Sequence, residues 1–387
     1  MTDGRQRREA KQARRDARRI GRRRREETPT EAPEEFPLVE EVREALAADH
    51  PLHLLWLVST IVQATVPDPP LLEAPEPESE PDAPDLDDLA ESFIAVPIPE
   101  TTALLAVLAE LAEDPDLTSR CAQEVSQRDD ELPPWIPDLA QTNVYRAVRM
   151  THVLGDGDDL MLGVRLPHGY EMTCVVFIDH NMMSTAGDAF FVPDSLEAVL
   201  AVAEHNRTDA DTELVEMSLN DACAWLNEAL IADEISHTPM ESDTWPACRP
   251  LVQWLCRSLP TGGSGYQGPA ITDDEQREFL DRYFASLVGQ RFDTSDHRNL
   301  LETCIEDGTG DPLRWSEVRV ENLFNDAAVE IGYASFQCLQ DLPDLLRAYI
   351  PFAHAEAGIR QELTAEALTA IDNAEAQFLA DLGEQGD

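Results

Sequence analysis

The chain has 387 residues, 43% of them apolar, with 29 Lys+Arg against 76 Asp+Glu for a formal charge of −47. That apolar content excludes a wholly disordered acidic protein, and the length allows two or three domains with an ample core. The charge excludes general nucleic-acid coating, or docking on anionic lipid, by the body of the molecule.

The charge is unevenly divided. Residues 1–25 hold eleven arginines and Lys11 against Asp3, Glu9 and Asp16, so this segment is +9 and the remainder is −56. A block of like charge is expected to be a disordered tail, here about residues 1–30. Its candidate contacts with an anionic partner (RNA, DNA or anionic lipid) are Arg18, Arg19, Arg22, Arg23, Arg24 and Arg25. The competing reading is an arm lying on its own acidic body, or a solubilising leader. The tail has no apolar stretch of the kind a secretory signal needs. Arg18–Arg24 imitates a twin-arginine signal only superficially, because no hydrophobic segment follows.

Lys11 is the only lysine. The bias toward arginine is that of a GC-rich genome, and its chemical consequence is an exclusion. The body has no amine for a Schiff base, no phosphate-loop lysine and no kinase-type strand lysine. Gly262-Gly263-Ser264-Gly265 lacks that phosphate lysine, and Tyr266 stands where a nucleophile elbow needs glycine, so the segment reads as a flexible loop. The seven cysteines (121, 174, 223, 248, 256, 304 and 338) contain no C-x-x-C pair. Cys248 and Cys256 are too far apart for a zinc knuckle. An odd, scattered set without an export signal implies reduced thiols and a cytoplasmic chain. Cys174 and Cys338 sit among apolar residues and read as small buried groups.

In chain order, residues 31–66 form a helical segment. Pro51 suits a first helical position with Asp49 or His50 as cap. The run Leu52–Val62 is apolar almost all round, too short to span a bilayer, and reads as a core helix. His50 and His53 share a face, with no third ligand nearby. Residues 67–90 hold seven prolines, nine acids and no base, the composition of an extended acidic linker. Residues 91–205 hold helices and then strands. Pro99-Glu100 opens a helix through Leu111, a second covers about 116–129, and Trp135 is a packing anchor in the Pro-rich break after it.

The fold class is α+β, predominantly helical with a small antiparallel β-meander at about residues 143–192. Val144–Leu154 is rich in β-branched and apolar residues. Leu160, Leu162, Val164 and Leu166 alternate, as do Tyr170, Met172, Cys174, Val176 and Ile178, with Gly155–Asp158 and Pro167-His168-Gly169 as turns. Three strands follow, and Phe190-Phe191-Val192 adds a short fourth. Asp194–Glu197 resembles a capping box. Residues 206–387 read as mainly helical: Ser218–Ile231, Trp245–Leu259, Asp273–Leu287, Asn299–Ile305, Ser316–Cys338, Leu342–Ala357 and Thr364–Leu382. In the last, Leu368, Ile371, Phe378 and Leu382 form a stripe that should face a neighbour. Ser316 is a plausible N-cap, and Arg314 and Trp315 are placed to stack or anchor a helix start. His297 reads as a polar surface group. The Gly/Pro-rich stretch 260–270 is the best boundary in this half.

Several of these segments resemble a group of uncharacterised proteins from high-GC Gram-positive bacteria over roughly residues 45–380. The segments are Asp49-His50-Pro51-Leu52, Glu100–Val107, Thr151–Asp158, Phe177–Asn181, Asp311–Ser316 and Phe352–Glu356. In that group the Asp311–Ser316 stretch tends to lead into a Trp-x-Pro-Arg-Lys-Val run. Here the corresponding residues are Asn325–Val329, and the basic element is missing. The resemblance implies one unit over 45–380 and carries no activity.

One constellation remains. An odd number of strand passes separates the Asp156 loop from the Asp179 loop, which puts both at one sheet end. Asp156, Asp158, Asp159, Asp179 and His180 would converge there, with Asp188 near. Such a set could hold Mg²⁺, Mn²⁺ or Zn²⁺ and activate a water for hydrolysis. It is equally the ordinary composition of turns, where Asp, Asn and Gly bond their own backbone. Two functions stand side by side. The first is a non-catalytic interaction or regulatory protein using the Arg-rich tail, with no cofactor. The second is a metal-dependent hydrolase using the Asp/His cluster.

Overall fold

The strands are β1 (Asn143–His152), β2 (Gly157–Arg165), β3 (Glu171–Asp179), β4 (Thr185–Val192) and β5 (Thr212–Met217), in the order β4-β3-β2-β1-β5 and antiparallel throughout. The computed structural model describes residues 37–66, 85–206, 210–235, 242, 244–330 and 336–385. Among these residues, 14 α-helices accompany the single sheet, the α+β class expected. The tail arginines Arg18, Arg19, Arg22, Arg23, Arg24 and Arg25 and most of the acidic linker lie outside the described residues.

The chain divides into two units, Met1–Glu44 and Ala45–Asp387. In the first, the residues from Pro37 are helical, the start of α1 (Pro37–Ala47), with Arg43 paired to Glu40 one turn away. The second holds the sheet and the remaining helices. They are α2 (Leu52–Ala64), α3 (Leu86–Ala95), α4 (Pro99–Leu111), α5 (Pro115–Ser126), α6 (Leu196–Asn206), α7 (Leu219–Ile235) and α8 (Trp245–Ser258), then α9 (Asp273–Ala285), α10 (Ser295–Glu306), α11 (Glu317–Glu330), α12 (Phe336–Gln340), α13 (Leu342–Ala357) and α14 (Gln361–Gln385). No described helix is long and apolar enough to cross a membrane.

The sheet is covered on both faces, and strand alternation decides what each face meets. Val148, Met161 and Val175 are register partners and pack with Leu196 and Leu200 of α6. Ala147, Leu162 and Cys174 point the other way, with Arg149, Leu160 and Val176 one step along. α7 and α8 pack on β1 and β4, and the Cys248 thiol of α8 lies 3.1 Å from the Ala189 carbonyl. α2 lies along α8, and Ser59 donates to the Ala247 carbonyl at 2.6 Å. A separate apolar cluster joins α9 to α14 around Tyr283, Trp315 and Tyr349. Ile371, Phe378 and Leu382 of the expected stripe are buried in it, and Leu368 packs against it. All seven cysteines are buried thiols, none of them in a disulfide among the described residues.

Three features differ from expectation. β4 is a full strand of eight residues, and β5 adds a fifth strand beside β1. The end of the stretch read as linker is helical, since Asp85 caps α3 by accepting the Asp87 amide at 3.3 Å. The Gly262–Gly265 loop is pinned rather than loose: Ser264 N donates to Asp221 at 2.8 Å and Tyr266 N to Glu228 at 2.9 Å, both on α7. A Cβ at Gly263 would run into the Asn220 carbonyl, so close backbone approach explains that glycine.

Candidate functional site

The site lies at the end of the meander where β2 begins and β3 ends. Thr151, Asp158 and Ile178 are register partners, which turns Asp158 toward the face covered by α7 and α8. Arg149 lies diagonally next to it, and its Nη1 donates to Asp158 Oδ2 at 3.2 Å. β3 runs into a tight 3-10 turn, and the His180 amide donates to the Asp156 carbonyl at 2.8 Å. That bond stitches the two loops together and carries the His180 ring over Asp158. His180 Nε2 and Asp158 Oδ2 are 3.0 Å apart, with both side chains buried.

Burial pushes the Asp158 carboxyl upward. The hydrogen bonds from His180 and Thr151 and the nearby Arg149 guanidinium outweigh it, and its pKa is lowered overall. Asp158 is therefore a carboxylate that accepts the Nε2 proton. This fixes the tautomer, leaving Nδ1 as the acceptor toward the Ser184 hydroxyl 2.9 Å away. Tyr266, delivered by the pinned glycine loop, lies flat on the His180 ring with centroids 3.8 Å apart and planes 7° apart. Trp225 of α7 meets both rings edge-on, and the Arg149 guanidinium lies 5.4 Å from the Trp225 ring centre.

The other expected ligands go elsewhere. Asp156 accepts from the Ser316 hydroxyl at 2.7 Å and from the Asn181 side-chain amide at 3.3 Å, which ties this loop to the start of α11. Asp179 caps its own turn, accepting the Asn181 amide at 2.9 Å, and burial raises its pKa. Asp159 points to the opposite sheet face, as register partner of Met150 and Phe177. Asp188 serves the N-terminus of α8, accepting from Ser242 at 2.5 Å and from Thr244. The two loops do converge, but Asp158 and His180 alone among the five meet as a pair. Among the described residues, no group of three or more His, Cys, Asp or Glu is arranged to hold a metal ion.

His50, His53 and His297 are engaged outside the site. His50 Nδ1 accepts the Leu52 amide at 3.1 Å, a cap for α2, while its Nε2 meets the Glu171 carbonyl at 3.0 Å; the two rings therefore do not form a metal pair, and His53 bonds the His50 carbonyl. His297 bonds Thr294 and Asp341. Burial pushes the thiols of Cys248, Cys256 and Cys304 up to about 12, which removes thiolate chemistry from them near neutrality.

Sequence reasoning did not reach Arg149, Ser184, Trp225 or Tyr266. Arg149 and Asp158 lie on one face only once the β1–β2 register is known, and Tyr266 arrives from 86 residues beyond His180. The local signal that existed was the glycine cluster before Tyr266.

No family model matches the chain, and neither a curated protein nor a solved structure matches it.

Proposed function

We propose that the chain is an interaction or regulatory protein whose Arg-rich N-terminal segment engages an anionic partner, with the acidic body held off that partner by its own charge. The observation that carries this reading is the charge division, +9 over residues 1–25 against −56 over the rest. Arginine guanidinium groups bind polyphosphate backbones by displacing counterions, and the acidic remainder confines that contact to the N-terminal segment. The body's arginines are largely spent on its own carboxylates and carbonyls, as Arg146, Arg298 and Arg347 are. Metal-assisted hydrolysis gains nothing from the geometry, because Asp156, Asp158 and Asp179 each hold a separate protein partner.

The test compares the full chain with one beginning at residue 27, using single-stranded RNA and duplex DNA over a salt series. The full chain should bind with a steep salt slope, and removal of the tail should abolish both binding and slope. Equal affinity and slope in the two proteins would overturn the proposal.

A further inference from the structure

Ser184 is the second of two consecutive residues in the left-handed region, Met183 at φ 54° and Ser184 at φ 59°. Neither residue type favours that conformation, which costs each about 1–2 kcal/mol where glycine or asparagine would be relaxed. The turn projects at the β3–β4 hairpin, with Met183 67% exposed and Ser184 partly so. The hydroxyl of this strained, accessible serine lies 2.9 Å from the Nδ1 lone pair that Asp158 has set up on His180.

From this juxtaposition we propose that Ser184 is a nucleophile for acyl transfer, with His180 as its general base and Asp158 as the positioning residue. It is an activity of the body, independent of the tail. The nitrogens are used in the opposite sense from the familiar serine hydrolases, with Nδ1 toward serine and Nε2 toward aspartate. The chemistry needs only that the carboxylate hold the proton on the far nitrogen. Tyr266 and Trp225 clamp the ring, so the imidazole is held in place before any substrate arrives.

In the forward step the Ser184 Oγ attacks an ester carbonyl carbon, forming the Oγ–C bond as its proton passes to Nδ1. Asp158 stabilises the imidazolium. Collapse breaks the bond to the leaving alcohol, which takes the proton from Nδ1. Water, deprotonated by Nδ1, then attacks the acyl-serine, releasing the carboxylic acid and restoring the Ser184 hydroxyl. The substrate class is a neutral ester of a small carboxylic acid. The −56 remainder repels anionic substrates, and exposed Met183 offers the approaching acyl group an apolar contact.

The test treats the full chain with a fluorophosphonate probe and with 4-nitrophenyl acetate, and locates any adduct by peptide mass. One adduct per chain on Ser184 is expected. Ser184→Ala, a change at a partly exposed turn, should lower both labelling and ester turnover at least tenfold. A folded wild-type chain that takes no label, or equal labelling in Ser184→Ala, would overturn the proposal. Ser184→Cys gives an independent reading, since the seven native thiols are buried. Near pH 6.5 its thiol should alkylate with iodoacetamide at least tenfold faster than free cysteine, and Asp158→Asn in that background should shift the midpoint of alkylation up by about one pH unit. A rate equal to free cysteine, or no change with Asp158→Asn, would refute the roles given to His180 and Asp158.

Discussion

Tyr266 lies face to face on His180, with ring centres 3.8 Å apart, although the two residues come from segments with no sequence link. What holds them together is the glycine loop on α7. Its two closest approaches differ in kind. A Cβ at Gly263 would meet the backbone of Asn220 and Asp221, which cannot move without moving α7. A Cβ at Gly265 would meet the Glu228 carboxylate, the far end of a flexible side chain, whose retreat costs the exposed hydrogen bond from the Tyr266 amide but moves no backbone. Gly263→Ala is therefore expected to cost about 1–3 kcal/mol and to alter Trp225 fluorescence as Tyr266 shifts. Gly265→Ala should cost clearly less. Urea unfolding of the two variants gives the order, and equal costs would contradict the pinned loop.

A near-absence of lysine has a structural counterpart. Three arginines each collect the last carbonyls of a helix. Arg128 Nη2 donates to Phe93 and Ile94 at the end of α3, both at 3.1 Å. Arg257 Nη2 donates to Glu110 and Leu111 at the end of α4, at 2.8 and 3.0 Å. Arg319 Nη2 reaches Ile305 at 2.8 Å at the end of α10, while its Nη1 takes Asp311 and Arg314 carbonyls and its guanidinium lies 4.1 Å from the Trp315 ring centre. Helix ends carry unsatisfied carbonyls and partial negative charge, and a planar fork with five donors satisfies several at once where an ammonium cannot.

Arg319→Lys should accordingly be costly. Arg319 is 3% exposed, and burial lowers its pKa, so lysine there would place a poorly matched charge among carbonyls spaced for a guanidinium. A loss of about 3 kcal/mol is expected, against under about 1 kcal/mol for Arg257→Lys, whose side chain is 39% exposed. Chemical denaturation of both variants checks the difference. Similar losses would mean that the charge alone matters and not the fork.

Period-two alternation carried most of the sheet, because β2 and β3 set large apolar residues on the buried faces. Strand parity also carried the meeting of the Asp156 and Asp179 loops. β5 was not legible because Thr212–Met217 is an edge strand, partly exposed, with Glu213 and Glu216 interrupting its apolar residues. The site's chemistry was half legible. Asp158 and His180 stood out as residue types, but nothing local distinguished Asp158 from Asp159, which alternation sends to the other face. Tyr266 and Trp225 enter through contacts far apart in sequence, and the glycines that deliver Tyr266 look like flexibility until the Asn220 carbonyl is seen against them.

His354 provides a pH-dependent prediction. The Trp315 amide donates to its Nε2 at 3.2 Å, so Nδ1 carries the proton and donates to Thr364 Oγ1 at 2.9 Å. Burial pushes its pKa down from 6.5 to about 4. The unfolded chain thus takes up this proton near pH 6.5 and the folded chain only near 4. Its stabilising contribution is complete above pH 6.5, falls as pH drops toward 4, and is constant below. At about 1.4 kcal/mol per pH unit, the fall is about 3 kcal/mol. The 76 acidic residues work in the opposite sense, since their protonation relieves self-repulsion, so the wild-type curve alone would mix the two. His354→Gln isolates the effect, because glutamine can still accept from the Trp315 amide and donate to Thr364 without titrating. The stability difference, wild type minus variant, should fall by about 3 kcal/mol between pH 7 and 4 in urea unfolding. A difference that stays constant over that range would show that His354 takes up its proton equally in the folded and unfolded chains.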